Sequence, residues 1–161
     1  MRNALIAAAV TACSLMPVTY AHAAAPVVAA QNHVSLDAAQ AMTTAALAHA
    51  RQKGLSVAIV VVDVNGNPVM VTRMDGTLPV IVDVARKKAK TSVIMQTPTI
   101  DIAKWPVEAL VGLSSIEDTI SFGGGAPIRY EGKVIGGIGV SGAATEDDIA
   151  TVEAALAVIK P

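Results

Sequence analysis

The sequence has almost no aromatic residues: one Trp, two Tyr and one Phe in 161. With 53% apolar residues, its core must be built from Val, Ile, Leu and Ala. There is one cysteine, Cys13, close to the N-terminus. Charge is nearly balanced, at a formal −1. That balance gives no case for nucleic acid or for an anionic membrane surface. Histidines number three, and none has the spacing of a metal site with Asp63 or Asp75.

What is present begins with a leader. Arg2 is followed by an apolar stretch, Ala4 to Val18, and by Ala21-His22-Ala23, a small-x-small pattern. Residues 1–23 read as a secretory signal peptide, cleaved after Ala23 or Ala25. The expected location is therefore periplasmic or extracellular, with no stable membrane insertion. Val10-Thr11-Ala12 before Cys13 also has the look of a lipobox. Cleavage removes Cys13, and with it any disulfide or thiol chemistry. Residues 24–34 read as a flexible linker and 35–161 as one domain, long enough for a real core.

In that domain Ser35 is placed as the N-cap of a helix running to about Lys53, closed by Gly54. Val57–Val62 is a β-branched strand. Asn65-Gly66 then marks a hairpin, with Pro68–Arg73 as its return strand. Pro79 starts a second helix to about Met95, with a small face of Ala85, Ala89 and Ser92 suited to close packing on a sheet. A short helix is expected from Ile100 to Leu110, and a short strand at Thr119–Phe122. Ile128–Tyr130 and Lys133–Val140 form a second hairpin across Glu131-Gly132. A last helix is capped by Thr145, with Asp148 three residues on. Two hairpins and flanking helices predict an α+β fold with an antiparallel sheet.

Strand alternation places Gly137, Gly139 and Ile135 on one face of the last strand, nearly bare of side chains. A helix, a second subunit or a flat ligand could approach that face. Gly137-x-Gly139-x-x-Gly142 matches the dinucleotide fingerprint, but the glycines lie inside a strand and too little chain follows for the rest of that unit. Gly139-x-Ser141-x-Ala143 lacks the final glycine of a nucleophile elbow and has no histidine after it. No catalytic residue is assigned.

VVDVNGNPVMVTRMDG, ARKKAKTS and GGGAPIRYEGKVIGGIGVSGAATEDD, in this order, resemble the GlcG/HbpS family of haem-binding proteins and the C-terminal domain of PduO-type proteins. The resemblance covers about Ser35 to Ile159. It implies a profilin-like antiparallel sheet flanked by helices, a homo-oligomer (often an octamer), and haem as ligand, with haem or iron handling as the role. The chain departs from the family at Asn65-Gly66-Asn67, where relatives often carry a histidine after the hairpin glycine. An imidazole is a good iron ligand and an asparagine amide a poor one.

On this reading Arg73, Asp75, Lys88 and the loop Gly123, Gly124, Gly125 to Pro127 line the ligand pocket, and His49 is the candidate iron ligand. The alternative is a small-molecule, organic-acid-binding protein or enzyme without haem, in which Arg73 or Arg129 holds a carboxylate. In a third arrangement the glycine face is an interface between copies of the chain.

Overall fold

The computed structural model describes residues 32–159. The expected signal peptide, with its expected cleavage site, lies outside them. Among the described residues the order is α1 (Leu36–Gln52), β1 (Ala58–Asp63), β2 (Pro68–Arg73), α2 (Val80–Ile94), α3 (Thr99–Ile102), α4 (Val107–Ser114), β3 (Gly125–Tyr130), β4 (Lys133–Ser141) and α5 (Thr145–Leu156). The four strands form one antiparallel sheet in the order β2-β1-β4-β3. This is the expected α+β arrangement. Each hairpin is a sheet half, and β1 joins β4 at the centre.

The local chemistry explains the elements. Ser35 caps α1 by accepting from the Ala38 N–H at 3.1 Å. Asp63 closes the first hairpin: its Oδ1 accepts from the N–H groups of Asn65 and Asn67, both at 2.9 Å. The second hairpin turns on Glu131 and Gly132, both with positive φ, which matches the twist of the flanking strands.

The centre of the sheet is buried on both faces. Ile59 and Val61 of β1, Ile128 of β3 and Ile138 and Val140 of β4 pack with Met42 and Ala46 of α1 and Val152 of α5. On the opposite face Ala58, Val60 and Val62 pack against Ala85, Ala89 and Val93 of α2. β1 thus reads as an unbroken apolar run because both of its faces are covered.

The open face of β4 is filled by the chain's own helix. A Cβ on Gly137 would lie 2.6 Å from the Ala89 carbonyl, and one on Gly139 would collide with the Ala85 carbonyl. Of the three occupants allowed by the sequence, α2 is the one found, so Gly137 and Gly139 do not form an interface between copies. The alternation is also shifted at the start of β4. A bulge opposite Ile128–Arg129 lets Ile135 join Ile138 and Val140, while Val134 faces α2.

Four further expectations are corrected. The single helix from Ile100 to Leu110 is two, because Pro106 ends the first pattern and serves as N-cap of α4. Thr119–Phe122 is not a strand. α5 begins at Thr145, with Ala144 as N-cap and no side-chain cap. Val34, placed in the linker by sequence, is buried and donates its N–H to the Ile135 carbonyl at 2.8 Å. Among the described residues no helix is long and apolar enough to cross a membrane.

Candidate functional site

The triple glycine is the point where α2, α3, β4 and α5 meet. Gly124, at φ +101°, lies over a buried ion pair: a Cβ there would be 2.7 Å from the Val140 carbonyl oxygen and 3.0 Å from Lys88 Nζ. Lys88 Nζ donates to Asp148 Oδ2 at 2.8 Å and to the Val140 carbonyl at 3.0 Å. Asp148 Oδ1 accepts from the Ala143 N–H at 3.1 Å. Burial pushes the Asp148 carboxyl above the usual carboxylate range, against the opposing pull of Lys88. Gly125 is held by Thr99, whose Oγ1 accepts from its N–H at 2.9 Å and donates to its carbonyl at 3.3 Å. A Cβ on Gly123 would be 2.7 Å from Thr145 Cγ2 and 3.0 Å from Ile149 Cδ1.

This loop forms one wall of a cavity of about 280 Å3 between α3, β3 and α5. Ile100, Gly124, Gly125, Ile149, Val152 and Leu156 make most of its surface, with Asp101 and Glu153 also lining it. Bare glycine backbone and aliphatic side chains suit a flat apolar ligand.

The sequence-predicted residues are only partly brought together. Gly124 and Gly125 line this cavity. Gly123 and Pro127 are buried beside it. Lys88 does not line it: the lysine is 4% exposed and its charge is spent on Asp148 inside the protein. Arg73 and Asp75 lie at the other edge of the sheet, beside a separate cavity. Three interstrand steps separate β2 from β3, at least about 14 Å. His49 is half-buried in α1, with Nε2 covered and unpartnered, and it lines none of the cavities described. Asn67 is committed to its own turn, with its N–H and Nδ2 both directed at Asp63. Among the described residues no group of three His, Cys, Asp or Glu is placed to hold a metal ion.

Arg86 and Lys90 of the basic cluster of α2 are also held internally. Arg86 makes a two-pronged bond to Asp118, both contacts at 2.9 Å, and Lys90 Nζ donates to the Glu117 carbonyl at 3.2 Å. With the Ile120 N–H bonded to Thr91 Oγ1 at 2.9 Å, these contacts hold the segment that leads into the glycine loop. Thr99 and Asp148 are the site-building residues that the sequence reading did not assign to the pocket. Asp148 was visible as a helix-start acid. Lys88 falls three residues after Ala85 and four before Ser92, on the small face, and that spacing was its signal.

Comparison with known proteins gives relatives for this whole region. Corrinoid adenosyltransferase PduO from Citrobacter freundii is 38% identical over 122 residues, which is 73% of this chain and 36% of PduO. The chain thus spans about a third of that relative. The crystal structure of a Streptomyces reticuli HbpS double mutant superposes with a TM-score of 0.77 at 36% identity, covering 86% of this chain and 99% of that one. The structure of a PduOC:heme complex matches with a TM-score of 0.72 at 34% identity, covering 79% of this chain and 95% of that one. The family model described as haem degrading protein HbpS-like matches residues 34–157, and the chain belongs to that family.

Proposed function

We propose that the protein binds haem or a related tetrapyrrole outside the cytoplasm, and that the cavity between α3, β3 and α5 takes one edge of the macrocycle. The observation that carries this is the likeness, over nearly the full length of that domain, to a protein whose structure is a haem complex. The cavity supports it with aliphatic walls and a glycine floor. Its volume of about 280 Å3 encloses only part of a porphyrin, so a second copy of the chain covers the rest. Phe122, next to Gly123, is 62% exposed, and Val107 and Val111 of α4 are exposed as well. These surfaces favour a homo-oligomer, of which the octamer implied by the resemblance is one form. The leader-like residues 1–23 support export.

The residues fit the ring better than the iron. The only charged groups of the wall are Asp101, which is paired with Lys104 at 2.9 Å, and Glu153. Neither is an imidazole or thiolate, and His49 is elsewhere. The chain's own residues therefore hold one edge of the ligand by apolar contact and shield that edge from water. Titration with haemin and with iron-free protoporphyrin IX tests this. Both should saturate, with affinities within about tenfold of each other, because no strong iron ligand contributes. Failure of both to bind would refute the proposal. Binding of haemin alone would refute the ring-held mode.

A further inference from the structure

The edge strand β2 ends at a second cavity, of about 260 Å3, at the opposite edge of the sheet from β3 and the glycine loop. Leu47 and Arg51 of α1 form one wall, and Thr72, Arg73, Met74 and Asp75 the other. The two arginines stand apart from the others. Among the described residues, Arg86 is bound to Asp118 and Arg129 donates to the Gln96 carbonyl at 2.8 Å. Arg51 and Arg73 have neither a hydrogen-bond nor an ion-pair partner for their side chains, although Asp75 lines the same cavity. Two arginines with unpartnered side chains therefore line one concave space whose remaining walls include Leu47 and Met74.

We propose that this cleft binds a small organic monocarboxylate with a short apolar chain. A guanidinium presents a planar fork of donors that matches a carboxylate, and two such groups outbid water where one exposed group would not. Leu47 and Met74 offer apolar contact for the rest of the molecule. Asp75 leaves the cleft with one net positive charge, which one carboxylate neutralises, whereas a second carboxylate would meet Asp75. The volume lies just below the range of roughly 300–1,000 Å3 for drug-sized ligands, so a metabolite-sized acid is the fitting class. The site is separate from the haem cavity, and its test does not depend on haem.

The experiment is calorimetric or NMR titration of the protein with straight-chain monocarboxylates from acetate to octanoate, beside the alcohol and amine of each length. Affinity should rise about threefold to fourfold per methylene until the cleft is full. Arg51→Gln and Arg73→Gln should each weaken binding about tenfold or more, and Arg129→Gln should leave it unchanged. Both cleft arginines are exposed, so the variants should melt at the wild-type temperature. Equal binding by the alcohols, wild-type affinity in both cleft variants, or no binding by any acid would overturn the proposal. Haemin titrated in saturating hexanoate should bind as before. Its displacement would show that the arginines serve haem's own carboxylates and would overturn the assignment to a free acid.

Discussion

Lys88 and Asp148, sixty residues apart in sequence, meet at 2.8 Å with both side chains almost fully buried. The pair ties α2 to the first turn of α5 directly beneath Gly124. Its desolvation cost is offset only while both partners and the Val140 and Ala143 backbone groups are in place. Lys88→Met should therefore destabilise the fold by about 3–5 kcal/mol, because it strands a buried carboxylate. Adding Asp148→Leu should cost less than the sum of the two single changes, which a double-mutant cycle from urea melts would measure.

The same pair predicts a pH dependence. Burial already raises the Asp148 carboxyl, and loss of Lys88 raises it further. Between the unfolded value and the raised folded value, the folded protein binds more protons than the unfolded chain. Stability contributed by this group is thus full at low pH and lost as pH rises through the folded pKa. The Lys88→Met protein should lose more stability than wild type between pH 4 and pH 7, as followed by urea midpoints.

Asp118 should behave in the opposite way. The two-pronged bond from Arg86 holds its carboxyl down at about 2. Its contribution is present above the unfolded value of 3.8 and is lost as pH falls through about 2. Carboxyl-carbon NMR should find Asp118 titrating near that value, and Arg86→Gln should return it toward 3.8.

Glycines with equal freedom in sequence should differ sharply when replaced. Gly139→Ala drives a methyl into the Ala85 carbonyl of α2 and should cost more than about 4 kcal/mol or prevent folding. Gly112 lies inside α4 with nothing within 4 Å of a Cβ. Gly112→Ala should stabilise by about 0.5–1 kcal/mol, as a better helix former in open space. Thermal melts of the two variants would separate the effects.

Much of this fold was legible because local chemistry and periodicity agree. Ser35, Asn65-Gly66, Pro68–Arg73 and Glu131-Gly132 mark their elements through capping and turn preferences that act within a few residues. The bulge at Ile135 was not legible, since it depends on how β3 pairs with β4 and not on either strand alone. The site was read less well for the same reason. Lys88 and Arg73 both look like ligand-binding cations in sequence, but only packing puts one inside an ion pair and the other on the far sheet edge. Arg51 gave no signal at all, because its partner across the cleft is 22 positions away.

The proposed seat of the porphyrin edge is the cavity walled by the glycine loop and α5. Its most direct test is an absorbance titration with haemin, comparing the wild-type protein with Ile149→Asp, which puts a charge on the apolar wall at a partly exposed position. A saturable Soret shift in the wild type, weakened about tenfold or more in a variant that remains folded, is the result expected from burying an unpaired charge against the ring. An unchanged shift in Ile149→Asp, or no shift in the wild type, would contradict the account.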